Sequence, residues 1–427
     1  MNRHNLRYVH PTSPVHPDPD HGATRTTLAV LAILLFVQTP QRVRADDWPC
    51  FRGPSHDGAS PVKLPALEWA KNPKVLWRRT LGRAFSSFAV VGNRLYTCGE
   101  EDQRQVLLCL HADTGEIIWK RPFEREITDP DPNLFGTRST PTVDSGRVYI
   151  VGGHETLLCC DADTGSELWN LKLDGRPHWG YAGSVLIEGD KAIFQAGGSR
   201  GSLCAVNKSN GEPIWKSGTA HTAYATPLPF SFRDARYVCA VMANSAIVVE
   251  VGSGRQVLEI PRPSHEGVNV AMPIYHEGHL FLSTGYGHGC AVYRLETKNG
   301  GLDAEEVWSN KALKNKFQTP VLYDGNLYSC DEISLKCVEF LTGKTHWRKG
   351  GSLSRGYAHG TVTLADGHLI ILSAKGELQI ARATPDGFTP LVKSKILDGR
   401  CWTVPVLINN RMYARSNTEA VCISVAE

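Results

Sequence analysis

A repeated unit of four short apolar runs constrains this chain more than any other feature of its sequence. The clearest copy spans residues 139–169 and reads STPTVDSGRVYIVGGHETLLCCDADTGSELW. Val, Ile and Tyr dominate the runs, which is typical of β-strands, and Gly146 and Gly165 lie in turns between them. Such a unit cannot bury its faces alone, so it requires copies of itself on either side.

Further copies of the unit follow the same pattern along the chain. The positions about five residues before each first hairpin glycine are 42 to 54 residues apart. They are Ser87, Pro141, Ser184, Pro227, Pro273, Pro320, Val362 and Pro405. Six of the ten tryptophans end a copy: Trp77, Trp119, Trp169, Trp215, Trp308 and Trp347. Four strands in each repeat of about 40–50 residues predict a β-propeller rather than a helical solenoid.

The two ends of the repeat array are complementary. Residues 74–81 have the ending of a repeat without its beginning, whereas residues 401–425 have a beginning without an ending. Pairing the two would cover strand edges that otherwise stay exposed. We therefore predict an all-β, eight-bladed propeller of four-stranded antiparallel blades over residues 74–427, in which an N-terminal strand completes the last blade. Seven blades are the alternative if one weak copy is an insertion.

The residues before the array divide into two parts. Residues 28–37 form a run of ten apolar residues, which is too short to span a bilayer as a mature helix and is followed by the small residue Ala45. We predict a signal peptide or an uncleaved N-terminal anchor over residues 1–45. The protein is then periplasmic or secreted, without a stable membrane span once processed. Residues 46–73 are dense in Pro and Gly and are predicted to form an irregular leader strap.

The twelve cysteines are predicted to be packing residues. Cys109, Cys159 and Cys337 each lie ten residues before a blade-ending tryptophan, and Cys422 lies in the matching strand of the last repeat. Equivalent cysteines in different blades behave as small hydrophobic side chains. The sequence has no C-x-x-C pattern, so neither a zinc site nor a covalently attached haem is predicted, and no other metal site is evident.

The segments before each first strand carry the candidate binding residues. In a propeller these segments enter the innermost strands beside the central channel. Arg or Lys recurs in five of the eight segments, often beside an aromatic residue, and such convergent groups are typical of a ligand site. The candidates are Arg83, Arg138, Trp179, Tyr181, His221, Tyr224, Asn269, Lys316, Gln318, Arg355, Tyr357, Arg400 and Trp402. Alternatively, these side chains fill the channel and hydrogen-bond to one another and to water.

Cations gathered around one axis repel each other unless something neutralises them. The five cationic candidates therefore predict an acidic partner at the channel face, either a carboxylate-bearing ligand or an acidic peptide strand. A competing hypothesis pairs these cations with acidic residues of neighbouring loops, such as Asp129 and Asp131. The net charge of the whole chain is only +3, which gives no electrostatic case for nucleic-acid binding. We expect a monomer.

The repeat resembles the pyrroloquinoline-quinone-type propeller repeat, whose motif is A-x-D-x-x-T-G-x-x-x-W. Residues 159–169, CCDADTGSELW, match it from the third position onward. The leader segment 48–54, WPCFRGP, is similar to the opening of a group of secreted bacterial propellers of this type. The resemblance implies that each blade-ending tryptophan docks against the glycine turn of the neighbouring repeat and joins the two blades.

The resemblance implies two functional branches. Quinoprotein dehydrogenases bind their quinone with Ca²⁺ held by acidic and amide groups, but the channel-entry segments offer Asn269 and Gln318 without an Asp or Glu. BamB-like scaffolds bind no quinone, although no lipoprotein cysteine follows the apolar run here. We expect an exported, non-enzymatic scaffold that binds a protein or ligand without a cofactor. The alternative is a pyrroloquinoline-quinone-dependent alcohol or sugar dehydrogenase with Ca²⁺ at the channel.

Overall fold

A computed structural model describes residues 47–125, 136–175, 177–298, 300–350 and 359–426. The predicted signal segment and the candidates Arg355 and Tyr357 lie outside these ranges, as do Asp129 and Asp131. The described chain forms eight sheets, each built on four antiparallel strands. The four strands follow sequence order in seven of the sheets, one of which carries an added parallel strand, and the eighth sheet is completed by an N-terminal strand. The prediction of an all-β, eight-bladed propeller is confirmed.

The first four blades are continuous in sequence. The first contains Ala89–Val91, Arg94–Glu101, Arg104–His111 and Ile117–Arg125. The second contains Thr142–Asp144, Arg147–Val151, Thr156–Asp161 and Glu167–Lys172. The third contains Leu186–Glu188, Lys191–Gln195, Leu203–Asn207 and Pro213–Ser217. The fourth contains Leu228–Phe232, Ala235–Val241, Ser245–Glu250 and Gln256–Pro261.

The last four blades include the closure of the ring. The fifth contains Ile274–His276, His279–Thr284, Gly289–Lys298 and Gly301–Asn310. The sixth contains Val321–Tyr323, Asn326–Cys330, Leu335–Glu339 and Thr345–Lys349. The seventh contains Thr361–Ala365, His368–Leu372, Glu377–Arg382 and Pro390–Lys395, with Ala59–Ser60 added in parallel. The eighth contains Val406–Ile408, Arg411–Arg415, Glu419–Ser424 and the N-terminal strand Val75–Thr80.

The ring closes through the pairing of Val75–Thr80 with Glu419–Ser424, as predicted. Arg415 reinforces the closure. Its guanidinium group is fully buried and donates hydrogen bonds to the carbonyls of Ser86 and Cys98 in the first blade, at 3.2 and 2.6 Å. A buried arginine that bonds carbonyl groups on two elements ties those elements together, because losing it would leave the acceptors unsatisfied.

The blade-ending tryptophans join neighbouring blades in the way that the resemblance implies. The indole nitrogen of Trp77 donates to the carbonyl of Ala112 in the next blade at 2.8 Å, and Trp119 bonds Ala162 equivalently at 3.1 Å. Further such bonds link Trp169 to Lys208, Trp215 to Val251, Trp308 to Phe340 and Trp347 to Thr384. The hydrophobic clusters accordingly lie between blades, where one sheet packs on the next.

Two of the eight blade contacts lack this tryptophan and are filled in other ways. Between the fourth and fifth blades, Phe230 contacts Tyr275 with ring centroids 4.7 Å apart. Between the seventh and eighth blades, Trp69 of the short helix Glu68–Lys71 is buried in the shared core with Val392. The other helical turns are the 3₁₀ segments Gly198–Arg200 and His265–Gly267.

All twelve cysteines lie in described ranges, are buried and form no disulfide. Burial raises the pKa of the Cys109 and Cys337 thiols to about 11 and that of Cys159 to about 12. These thiols therefore stay protonated at neutral pH and act as packing groups, as predicted. Among the described residues, no helix is long and apolar enough to cross a membrane.

Candidate functional site

Two adjoining cavities open the channel on the face where the chain enters each innermost strand. We call the outer one the mouth cavity; it has a volume of about 380 Å³. The inner cavity has about 140 Å³ and shares part of its lining with the mouth cavity. The shared lining residues are Arg138, Ala182, Tyr224, Val270, Phe317 and Trp402. The two cavities therefore form one recess along the propeller axis.

Stacked aromatic rings form one wall of the recess. Trp402 lies between Phe85 and Phe317, with ring centroids 5.4 and 4.7 Å away and interplanar angles of 23° and 26°. These three rings come from the entry segments of the eighth, first and sixth blades. Rings stacked in this way are held by their neighbours, so they present a rigid apolar surface to the cavity.

The opposite wall comes from the entry segments of the third, fourth and fifth blades. Its side chains are Trp179, Ala182, Tyr224, Val268 and Val270. The hydroxyl group of Tyr224 accepts a hydrogen bond from the backbone N–H of Trp179 at 3.1 Å. This bond joins two blades across the wall and fixes the rim of the cavity.

Three cations line the mouth cavity: Arg138, Lys316 and Arg400. The ammonium group of Lys316 lies 4.3 Å from the ring centroid of Tyr286, and the guanidinium carbon of Arg400 lies 4.5 Å from that of Trp402. Arg138 donates a hydrogen bond to the carbonyl of Trp179. A ring positions a cation over its face without neutralising it, so the ammonium group of Lys316 remains available to a ligand.

Carboxylates near the recess lie outside its described lining. Glu332 accepts the backbone N–H of Tyr286 and lies 3.8 Å from the ammonium group of Lys314. Among the residues that the structure describes, Lys316 forms no ion pair. The described lining thus contains no carboxylate.

The leader crosses the channel and closes the inner end of the recess. The carbonyl of Pro49 accepts the backbone N–H of Val143 in the second blade at 2.8 Å. Arg52 donates to the carbonyls of Thr319 and Pro320 beside the sixth blade at 3.1 and 2.6 Å. The second and sixth blades lie opposite each other in a ring of eight. The chain between these contacts therefore spans the channel.

Phe51 lies within this crossing segment and lines the inner cavity. Arg52 anchors the crossing, because it is 2% exposed and donates also to the carbonyls of His56 and Asp57. Every acceptor of this arginine is a carbonyl group, and burial lowers the pKa of its guanidinium to about 10. The group stays charged at neutral pH and holds Phe51 in the floor of the recess.

A row of hydroxyl groups lines one side of the inner cavity. The backbone N–H of Ser87 donates to Thr140 Oγ1, that of Thr140 to Ser184 Oγ, and that of Ser184 to Thr226 Oγ1, at 2.8 to 3.1 Å. Each of these bonds runs from one blade to the next at equivalent positions. The hydroxyl groups thus join the entry segments of the first four blades and give that side of the inner cavity a polar surface.

The structure brings six of the predicted residues together in the mouth cavity: Arg138, Trp179, Tyr224, Lys316, Arg400 and Trp402. The remaining described candidates lie outside its lining. Arg83 pairs with Glu100 at 2.6 Å, and the buried Tyr181 donates its hydroxyl to the carbonyl of Ala196 at 2.7 Å. His221 is exposed.

The two amide candidates are buried beside the recess. Asn269 donates to the carbonyls of Met242 and Ala243 at 2.9 and 3.2 Å, and so braces the fourth blade. The side-chain oxygen of Gln318 accepts the backbone N–H of Phe317 at 3.2 Å. Both side chains support the segments that carry the cavity walls.

Sequence reasoning missed four aromatic residues of the recess: Phe51, Phe85, Tyr286 and Phe317. A signal existed for Phe85 and Phe317, because both lie within the entry segments that supplied the other candidates. Phe51 belongs to the leader and Tyr286 to a turn between the second and third strands of the fifth blade. No repeat position points to these two.

Comparisons with known proteins agree with this architecture. The family model described as outer membrane protein assembly factor BamB matches residues 70–300. The factor BamB of Shewanella oneidensis is 24% identical over 251 residues, which are 56% of this chain and 57% of that protein. A polyvinylalcohol dehydrogenase of a Sphingopyxis species is 21% identical over 243 residues, which are 48% of this chain and 35% of that protein.

The chain thus spans between about a third and just over half of the length of these two curated relatives. Among solved structures, a europium-containing methanol dehydrogenase superposes with a TM-score of 0.67 at 11% identity, covering 89% of this chain and 98% of that one. At this identity the likeness concerns the fold alone.

Proposed function

We infer a protein-binding function from one premise: this chain belongs to the family described as outer membrane protein assembly factor BamB. We propose that it is an exported, non-enzymatic propeller that binds a protein partner on the face of the mouth cavity. The observation that carries the proposal is the recess itself, in which aromatic walls and three cations converge at the channel opening. Aromatic residues and arginine are the groups enriched at the centres of protein interfaces.

The ionisable groups of the described lining suit binding better than catalysis. Burial raises the pKa of Tyr224, and burial together with the charge of Glu266 raises that of Tyr286. Neither phenol is therefore ionised at neutral pH. General base catalysis needs a group that can accept a proton near the operating pH, and these phenols do not.

The second candidate function is a quinone-dependent dehydrogenase, which the relative named polyvinylalcohol dehydrogenase suggests. A Ca²⁺ ion needs several oxygen ligands, commonly carboxylates. The described lining of the recess contains no Asp or Glu, and Asn269 and Gln318 are buried within the adjoining segments. The described residues of this site do not fit a Ca²⁺-bound quinone, which supports the scaffold proposal.

A crosslinking experiment tests the protein-binding proposal. A photo-crosslinking amino acid replaces Tyr286, which is 36% exposed at the cavity rim, in cells that produce this chain. The matched control replaces Leu391, which is 42% exposed on the outer strand of the seventh blade. We expect discrete crosslinked proteins from position 286 that position 391 does not capture. Identical products at both positions, or none at 286, would contradict the proposal.

A separate measurement addresses the dehydrogenase. Purified protein is incubated with pyrroloquinoline quinone and Ca²⁺, its absorption spectrum is recorded after gel filtration, and dye reduction is followed with alcohols and sugars. We expect no retained quinone absorbance and no substrate-dependent dye reduction. Retained quinone together with substrate-dependent dye reduction would contradict the scaffold proposal and support a quinone-dependent dehydrogenase.

A further inference from the structure

We propose that the recess binds a peptide segment of the partner in which an aromatic side chain stands beside a carboxylate, and that Phe51 of the leader forms the floor under that aromatic ring. This inference rests on the proposed protein-binding function and names the chemistry that the site selects. It also assigns a binding role to the leader, which lies outside the repeats.

The shape of the recess favours one ring. The mouth cavity of about 380 Å³ lies at the lower end of the range for ligand pockets, about 300–1,000 Å³. Its walls are the stacked rings of Phe85, Trp402 and Phe317 on one side and Tyr224 with its apolar neighbours on the other. An aromatic guest would lie between these walls and gain offset or edge-to-face contacts in addition to the burial of apolar area.

The charge of the recess selects an anion beside the ring. Lys316 supplies the cation, because its ammonium group lies at the cavity wall over Tyr286 and Phe317, 4.3 and 5.2 Å from their centroids. An ammonium–carboxylate hydrogen bond in a partly desolvated site is stronger than one between neutral groups. A cation brought into the recess would instead be repelled by Lys316.

The leader closes the inner end of this recess, so that a guest can enter only from the mouth cavity. Trp48 pairs with Val90 in the first blade, Arg52 is bound by carbonyls at the sixth, and Phe51 between them faces the inner cavity. A guest entering from the mouth therefore meets the Phe51 ring rather than an open channel. Docking of the leader and binding of the guest should be coupled, since the first builds a surface that the second uses.

Calorimetric titration of purified protein with three blocked hexapeptides tests the chemistry. The first carries Phe flanked by two Glu residues, the second Phe flanked by two Lys residues, and the third Ala flanked by two Glu residues. We expect only the first to bind, with an affinity that falls at least fivefold between 50 and 300 mM salt, because exposed charges are screened. Equal binding of the second or third peptide, or no binding of the first at millimolar concentration, would overturn the inference.

Substitutions of lining residues test whether the peptide binds in the recess. Lys316→Gln and Trp402→Leu should each weaken the first peptide about tenfold, whereas Lys311→Gln, which alters an exposed lysine outside the lining, should leave its affinity unchanged. Phe51→Leu should weaken it three- to tenfold while the unfolding midpoint stays close to that of the parent. If Lys316→Gln, Trp402→Leu and Phe51→Leu all bind like the parent, the site lies elsewhere and the assignment is wrong.

A last titration separates this inference from its premise. Naphthalene dicarboxylate is a free planar acid, and its binding in the absence of any peptide binding would make the recess a small-molecule site and overturn the peptide assignment. Crosslinking from position 286 that persists without hexapeptide binding would leave the protein-binding function intact and remove only the proposed ligand chemistry. Loss of both would remove the function and the inference together.

Discussion

Gly115 faces the indole ring of Trp77 so closely that a Cβ atom added to the glycine would lie 2.6 Å from the ring. The glycine belongs to the turn before the outer strand of the first blade, and the tryptophan belongs to the outer strand of the eighth. Gly165 and Trp119 repeat this relationship at the next blade contact. The glycine and the tryptophan of one T-G-x-x-x-W motif therefore contact different neighbouring repeats: Gly115 contacts Trp77, and Trp119 contacts Gly165.

Replacing Gly115 by alanine should destabilise the propeller more than replacing Gly92. Both glycines have positive φ, 68° and 57°, so both substitutions incur the backbone cost of about 1 kcal/mol. Only Gly115→Ala also pushes a methyl group into a ring, which should add about 1–3 kcal/mol, because no atom lies within 4 Å of the position at Gly92. Urea denaturation of the two variants measures the difference. Equal losses would show that the tryptophan contact is loose.

Trp169→Ala should lower the free energy of unfolding by about 3–5 kcal/mol, the usual cost of emptying a large aromatic site. Trp169 is 8% exposed and its indole nitrogen is bonded to Lys208 of the next blade. Trp179→Ala serves as the control, since Trp179 is half-exposed at the cavity rim, and it should cost far less. Chemical denaturation measures the free energy of unfolding of both variants. Similar decreases would mean that Trp179 is also part of the core.

Arg52→Met should destabilise the protein by about 3 kcal/mol, because it leaves buried carbonyl groups without their donor. Arg79→Met is a matched control. Arg79 also donates to carbonyl groups, those of Thr114 and Gly115, but it is exposed and water can replace it, so its loss should cost less than about 0.5 kcal/mol. Thermal unfolding measures both variants. Equal decreases of the two unfolding midpoints would contradict this account.

The stability of the protein should decrease as the pH falls from about 6.5 to about 4, in part because of His56. Burial lowers the pKa of His56 to about 4, whereas an unfolded histidine titrates near 6.5. Between these values the unfolded state binds the proton that the folded state excludes, so acidification favours unfolding. Urea midpoints measured across this pH range should fall less steeply for His56→Gln than for the parent. The exposed His178→Gln should retain the parent's slope.

Cysteine labelling under native conditions should be slow, even in the absence of reductant. Burial leaves the thiols protonated and out of contact with solvent, and thiolate is the reactive form. A thiol reagent followed by mass mapping should label few positions until denaturant is added, after which all twelve should react. Recovery of Cys109, Cys159 or Cys337 in a disulfide would contradict the packing role.

The ring of blades could be predicted from the repeats. The spacing of the repeats favoured eight blades over seven, and the incomplete ends at residues 74–81 and 401–425 predicted which strand closes the last one. These features can be read from the sequence because every blade packs against the next in the same way. Trp77, Trp119 and their equivalents therefore recur at one position of the repeat. Entry segments are likewise equivalent, and for that reason Arg138, Lys316 and Arg400 could be expected to converge.

The composition of the recess depends on contacts that form when the ring closes. Closure brings Phe85, Phe317 and Trp402 into one stack although more than 300 residues separate the first from the last, and no period encodes which rings will touch. Phe51 was beyond prediction because the leader follows no repeat, and its path depends on Arg52 finding carbonyl groups across the channel. Equivalent positions are dictated by symmetry, whereas a segment outside the repeats is placed by particular hydrogen bonds that exist only once the ring has formed.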